Sequence, residues 1–523
     1  MTGTIHRRTF HEHWEAAVAE HGNRRFLVFH DDTGTVEYTY REFDEIVART
    51  AGTLRRYGVR PGSSVHLALR NSPAFVALWL AVARLGAWFV PVDPASAPRD
   101  IAHQVRRTSP TVGVCAGARA AVYREGAGSA IGTVVEIGET AADVGPEGPL
   151  GAGEPVTGAA PGTRPSDRLA VMFTSGTTSE PKGVVLTQEN YSTVGETMAA
   201  AVGLRPEHRW LVTLPLFHAN AQYYCFAPAI TAGAGVALTG VFSASRWVRQ
   251  AHELGATHAS LFAAPIRMIL ARCGDRPPLT LEHVWFAQSL GQEHYERFAQ
   301  IAGCRPRQLY GLTETVAAVT GDTSDPLRHD VIGEPLGDRE VDVVDREDGR
   351  PSPPGTPGVL RVRGVRGVDL FEGYLDDAAT TERCFTAHAD GTSWFTTGDL
   401  VVAEPGGGVF RFVGRADDVI KVSGENVSLT EVEAVLAQAP GVLEAAVVAH
   451  ADPVRDQVPV AYVVPRDLAS PPDTETLAGW ARRNLSPAAR PRAWHVIDEL
   501  PRTSVGKVRR FRVASDAPDV RRP

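Results

Sequence analysis

Cysteine is scarce in this chain: there are five among 523 residues, and Cys115, Cys225, Cys273, Cys304 and Cys384 stand at least 31 residues apart. That spacing builds no CxxC pair for a metal or a redox couple, so the thiols read as buried or incidental. Long apolar runs are also missing. The most apolar window, 74–92, is broken by Arg84 and Gly86. It reads as a buried helix ended by Gly86 and a strand over 87–92, which excludes a membrane span there. The first residues include basic ones but no apolar stretch follows them, so no secretory leader is expected and the localisation reads as cytoplasmic. Positive charge is not in excess either. The 53 Lys and Arg against 61 Asp and Glu leave a net charge of -8, which opposes a general nucleic-acid binder while leaving room for one local phosphate site.

What is present fits a large globular protein. The hydrophobic fraction of 43% and charged fraction of 22% allow a sizeable core, and the length predicts roughly three to four folding units. Strand-like runs alternate with helical ones, for example 64–69, then 73–85, then 88–92, so the fold class is α/β. From 126 to 165 the chain is rich in Gly, Ala, Pro and Glu, and this tract reads as a connection outside the packed core. A second change of composition at 414–428 marks a candidate hinge, after which a small α+β pattern runs on. There, Ser428 and Glu431 form a capping box that starts a helix.

The most informative segment is MFTSGTTSEPKG, 172–183. It follows an apolar strand over 169–173 that leads into Thr174, also a candidate for cofactor binding, and combines hydroxyl donors at Ser175, Thr177, Thr178 and Ser179 with Gly176 and a point charge at Lys182, the requirements of a phosphate cradle. It is not a Walker A loop, because Lys182 leads into Gly183 and a strand instead of a helix. LPLFHAN (214–220) places His218 after an apolar strand, where an imidazole can donate a hydrogen bond to an acid or form a flat wall. LYGLTET (309–315) sets Tyr310, Gly311, Thr313 and Glu314 close together. Tyr310 can stack on a base, Thr313 can bond a phosphate, and Glu314 offers the hard oxygen that Mg²⁺ takes. WFTTGDL (394–400) puts Asp399 after a glycine turn, and GRADD (414–418) follows, with Asp418 expected to be a solvated charge.

In this order the motifs resemble those of the adenylate-forming superfamily of acyl-CoA synthetases, peptide-synthetase adenylation domains and beetle luciferases, with the closest likeness to carnitine/crotonobetaine-type and medium-chain acyl-CoA ligases. Ser179 stands where the superfamily loop usually has glycine. The resemblance implies an N-terminal ATP- and acid-binding domain of layered sheets and helices over 1–415 and a mobile C-terminal catalytic lid over 416–523. It implies that Asp399 accepts bonds from the ribose hydroxyls, that Arg415 makes a second ribose or phosphate contact, and that Asp417 is the hinge. It also implies that Gly424 lines the tunnel of the thiol acceptor, where Asn426 replaces an arginine common in relatives, and that Lys507, in the exposed turn of LPRTSVGKVRR, is the catalytic lysine. His218, Ala287, Gln288 and Ser289 then border the acid. The implied activity is ATP-dependent formation of an acyl adenylate with pyrophosphate release, then transfer to coenzyme A, with Mg²⁺ as cofactor. Two alternatives stay open: transfer of an organic acid, or of a small inorganic acid such as nitrous acid, to an amine or carrier-protein thiol in secondary metabolism; and a non-catalytic nucleotide-binding homologue.

Overall fold

Residues 7–174, 181–273, 279–423, 425–452, 455–502, 508, 510 and 513 are described by a computed structural model. Its larger part contains three sheets. A seven-stranded sheet runs in the order Gly373–Tyr374, Lys182–Thr187, Arg168–Thr174, Trp88–Val92, Ser64–Ala68, Val112–Ala116, Thr133–Ile137. A nine-stranded sheet runs Glu334–Pro335, Thr320–Gly321, Arg307–Tyr310, His283–Ala287, His258–Phe262, Arg209–Val212, Gly235–Thr239, Arg25–Asp31, Gly34–Thr39. Both are parallel through their middles and antiparallel at an edge, the pattern of sheets covered on two faces by helices. A third, antiparallel sheet is built from Val341–Val344, Gly358–Gly364, Phe385–Ala387, Ser393–Ala403 and Phe410–Arg415.

The helix Pro73–Arg84 shows why the layers close. Ser72 caps it by accepting from the Phe75 backbone N–H, proline occupies the first turn, and all of its residues from Pro73 to Arg84 are buried. A helix apolar on every side must be covered on every side. Trp79 accordingly meets Phe10, Phe89, Tyr191 and Phe226, drawing elements of both large sheets onto one core. Trp247 and Phe298 head a second core that includes Leu211 and Leu261 of the nine-stranded sheet. The smaller C-terminal part has its own sheet, Glu425–Ser428, Val419–Val422, Asp456–Pro465, Val442–Asp452 with Ala493–Val496 beside it, and its own apolar clusters. The α/β class, with a large N-terminal and a smaller C-terminal domain, is borne out.

The glycine-rich tract differs from the expectation. Instead of bypassing the core, residues 126–165 contribute the edge strand Thr133–Ile137, and Leu150 is wholly buried. Thr53 donates to the Leu150 carbonyl, Val156 donates to Ala48, and Arg84 reaches the Val156 carbonyl. The glycines permit this backbone-on-helix packing: a Cβ on Gly153 would fall 2.2 Å from the Thr53 nitrogen, and one on Gly52 1.9 Å from the Glu154 oxygen. A composition that reads as loose is here a requirement for close approach. Gly153→Ala is expected to lower stability by roughly 1–3 kcal/mol through overpacking, seen as a reduced unfolding midpoint in thermal melts; an unchanged midpoint would refute that packing.

Candidate functional site

Parallel strands of an open α/β sheet present their ligands at the carboxyl edge. Here that edge gathers His218 after Arg209–Val212, Ala287 at the end of His283–Ala287, and Tyr310 at the end of Arg307–Tyr310. Tyr310 donates from its hydroxyl to Asp399 Oδ2 at 2.7 Å. Asp399 is 2% exposed and lies in the continuous strand Ser393–Ala403, so it follows not a turn but a glycine kink inside the strand, with Gly398 at φ 74°. Its cross-strand partner is Arg415, whose Nε stands 3.4 Å from Oδ1. Burial and the neighbouring carboxylate hold the Tyr310 phenol well above its ordinary range, so it remains a donor.

On the other side of Tyr310 the chain turns through Thr313–Thr315, and this turn is clamped. Arg339 Nη2 donates to the Thr315 carbonyl at 2.7 Å, Phe371 N–H donates to the Glu314 carbonyl, and Leu312 N–H donates to Thr315 Oγ1. The clamp holds Val316 at φ 62°, a costly position for a β-branched residue. Gly311 is needed because a Cβ there would fall 2.7 Å from Tyr224 Oη. Burial pushes the Glu314 carboxyl up from the usual range, opposed by the hydroxyl of Tyr374, which donates to Oε1 at 3.0 Å. The Tyr374 ring also carries the Lys182 ammonium, 5.0 Å from its centre. Lys182 in turn pairs in register with Thr174 across the hairpin that bears the hydroxyl-rich loop. Ser175, Gly176, Thr177, Thr178 and Ser179 lie outside the described residues, as do Gly424 and Lys507.

His218 is half-buried, tilted against Phe217, at the start of a short helix that continues into the π-helical turn Gln222–Phe226, a deformation that often marks functional sites. Asn71 fixes the preceding segment by accepting from Leu216 N–H and donating to the Leu214 carbonyl. Ala287 is half-buried, whereas Gln288, at φ 76°, and Ser289 are both exposed. Ser289 lines a cavity of about 390 Å³ together with Gly291, His294, Phe412, Glu431 and Gln438, so its walls come from both domains.

The two domains meet through charges. Glu444 of the small domain lies 3.8 Å from Arg267 of the large one and also bonds Arg502, while Arg267 Nη1 reaches the Ser289 carbonyl at 3.4 Å. In the same orientation Ser423 and Glu425, which flank position 424, are exposed. Asp417 is exposed in the turn Ala416–Asp418. Asp418 departs from the solvated charge expected: Arg510 bonds it at 2.5 Å and also bonds Glu433 and Thr430. The helix Leu429–Leu436 begins where the capping signal predicts, with Ser428 accepting from Glu431 N–H.

Sequence motifs missed Tyr374, Asn71, Arg339 and Glu444, because each acts on a partner far along the chain. One compositional signal was available for the cations. Of the 53 basic residues only Lys182, Lys421 and Lys507 are lysines. Where arginine serves almost every surface role, a compact ammonium stands out as a candidate for chemistry, and Lys182 and Lys507 both fall in the motifs named above.

Comparisons with known proteins identify the family and the fold. The model of the AMP-binding enzyme family matches residues 14–375, and that of the AMP-binding enzyme C-terminal domain matches 431–507. The crotonobetaine/carnitine–CoA ligase of Salmonella paratyphi A is 28% identical over 508 residues, covering 95% of this chain and 96% of the relative. The enzyme of the same name from Citrobacter koseri is 28% identical over 506 residues, with the same shares. Among solved structures, the anthranilate CoA ligase AuaEII in complex with anthranoyl-AMP superposes with a TM-score of 0.87 at 22% identity, covering 98% of this chain and 97% of that one. ATP-bound MatB from Rhodopseudomonas palustris gives 0.85 at 21%, with coverages of 98% and 100%. At these identities the structural likeness speaks to the fold. Glu444→Gln is expected to raise amide hydrogen exchange in the helices Ala263–Arg272 and Leu429–Leu436, and Arg267→Lys, which keeps the charge, to retain most of the protection. Unchanged exchange in the glutamine variant would mean that the ion pairs do not hold the domains together.

Proposed function

The chain belongs to the AMP-binding enzyme family and activates an acid with ATP through an acyl adenylate, and we propose that coenzyme A accepts the acyl group. The observation that carries the site assignment is the pair of linked contacts on either side of the Thr313–Thr315 turn: Lys182–Tyr374–Glu314 on one, Tyr310–Asp399–Arg415 on the other. Asp399, buried and already holding one donor, accepts from the ribose hydroxyls. Tyr310 lies against the base, with Phe412 at 6.1 Å behind it. Thr313 bonds the α-phosphate, and Lys182 with Thr174, Ser175, Gly176, Thr177 and Thr178 holds the phosphates that leave.

Glu314 suits a divalent cation. Its carboxyl is buried with its ionised form disfavoured, a state that a nearby cation reverses. Mg²⁺ is usually held through one or two carboxylates together with substrate phosphates, and Glu314 can serve as such a carboxylate. Held by Glu314, Mg²⁺ would supply positive charge that neutralises phosphate oxygens.

The acid, bordered by His218, Ala287, Gln288 and Ser289, presents its carboxylate oxygen to the α-phosphorus. That bond forms as the bond to pyrophosphate breaks, and Lys507 balances the charge on the carboxylate and α-phosphate. In the second step a thiolate sulfur attacks the acyl carbon, the carbon–oxygen bond to AMP breaks, and AMP leaves. With a division at 415/416 and a hinge at Asp417, rotation of the small domain exchanges Lys507 for the Gly424 loop. The relatives named as CoA ligases favour coenzyme A over an amine or a carrier-protein thiol. Cytoplasm, where ATP and coenzyme A are both present, is the proposed location; no helix among the described residues is long and apolar enough to cross a membrane.

Lys507→Ala is expected to cut acid-dependent exchange of pyrophosphate into ATP by on the order of 100-fold or more, while thioester formation from a supplied acyl adenylate persists. Equal loss of both steps would remove Lys507 from its role. Release of acyl adenylate that coenzyme A leaves unchanged, but an amine or carrier thiol consumes, would replace the acceptor.

A further inference from the structure

The motifs leave unused a polar pair beside the expected acid pocket. Asn220 lies two residues past His218, and its Oδ1 accepts from Ser260 Oγ at 3.0 Å, with both residues buried. In the strand His258–Phe262, Ser260 pairs with Trp285, and Phe262 pairs with Ala287. Side chains two residues apart on a strand share a face and are about 6–7 Å apart, so the Asn220–Ser260 pair sits one step beneath Ala287 at the carboxyl edge. Tyr223, on the same helical segment as Asn220, is fully buried, and its hydroxyl has no hydrogen-bond partner among the described residues. Burial above all holds its phenol protonated, with a smaller contribution from the carboxylate of Glu314.

Such groups are not neutral bystanders. The bond to Ser260 uses the amide oxygen of Asn220 and leaves its two amide protons for another acceptor. An unsatisfied buried hydroxyl such as that of Tyr223 costs about 1–3 kcal/mol, a cost that a ligand with a matching polar atom removes. The carboxylate near Tyr223, Glu314, takes the Tyr374 hydroxyl and is assigned to Mg²⁺ above, so it is not counted toward a cationic tail. Among the described residues the buried acids are committed elsewhere: Glu139 to Arg70, Glu189 to Arg7, Asp143 and Asp322 to backbone N–H groups, and Asp399 to Tyr310 and Arg415.

We propose that Asn220, Ser260 and Tyr223 set the specificity of the pocket for an uncharged polar acid, one whose tail carries a hydroxyl, carbonyl or amide, over hydrocarbon acids and over quaternary-ammonium betaines. The proposal rests on the acid-activating function above. Asn220 donates to an oxygen of the tail, and the Tyr223 hydroxyl donates to or accepts from a second atom. A site built to hydrogen-bond rejects an analogue lacking the polar atom far more strongly than an apolar pocket rejects a missing methylene.

The test compares valerate with levulinate and benzoate with para-hydroxybenzoate, with crotonobetaine as the cationic acid. Each is ranked by pyrophosphate exchange and by the thermal shift it produces in the ATP-loaded protein. The polar member of each pair is expected to lead in kcat/KM by roughly tenfold or more. Asn220→Leu and Tyr223→Phe, the second removing one oxygen only, are expected to bring the ratios toward unity while the KM for ATP stays the same. A wild-type preference for valerate, benzoate or crotonobetaine, or ratios unmoved in both folded variants, overturns the proposal. Ranked thermal shifts without exchange for any acid would instead overturn the ligase function and keep the pocket assignment; equal shifts and no exchange would overturn both.

Discussion

A buried carboxylate has to be satisfied, and the way Asp399 is satisfied ties the large domain to its own border. The residue is almost wholly removed from water, where an unpaired charge would be prohibitive. It takes a hydroxyl from Tyr310, at the end of a strand of the nine-stranded sheet, and lies across from Arg415, the last residue of the third sheet's final strand. Two sheets with unrelated connectivity are thereby held in one relation. The end of the strand Phe410–Arg415 is set by the same contact that holds Tyr310, so the proposed nucleotide site and the proposed hinge at Asp417 share one anchor.

The Thr313–Thr315 turn depends on a second buried charge. Arg339 is almost entirely enclosed, and burial lowers its pKa against the opposing field of Asp369. Its bond to the Thr315 carbonyl helps to hold Val316 in a conformation it would not adopt alone. Strain of this kind persists only where surrounding contacts over-determine it, and it is common at sites whose groups must be placed before a ligand arrives. The neighbouring link from Lys182 through Tyr374 to Glu314 brings together residues from three separate parts of the chain.

Legibility in the sequence follows the range of the interaction. The strands Ser64–Ala68, Trp88–Val92 and Arg168–Thr174 and the helix Pro73–Arg84 were readable because their signals, apolar runs bounded by Gly, Pro and Ser, are local. The motifs proposed for the nucleotide and the acid stood out because their polar groups are concentrated within a few consecutive residues. The tract 126–165 was misread because glycine has two physical uses, freedom and close approach, and only a neighbouring helix distinguishes them. Asp418 was misread for the same reason: its partner Arg510 is 92 positions away.

Local order along the chain thus determined the α/β class, the turn bearing Thr313 and Glu314, and the start of the small domain's first helix. Tertiary structure alone decided that Tyr310 serves Asp399, that Tyr374 joins Lys182 to Glu314, that Glu444, held by Arg502, reaches across to Arg267 of the large domain, and that Asn220 meets Ser260. The reason is physical. Capping, turn chemistry and apolar periodicity act over a few residues and leave a record in the spacing, whereas a hydrogen bond or ion pair between distant segments depends on how the sheets stack, which no single stretch of sequence encodes.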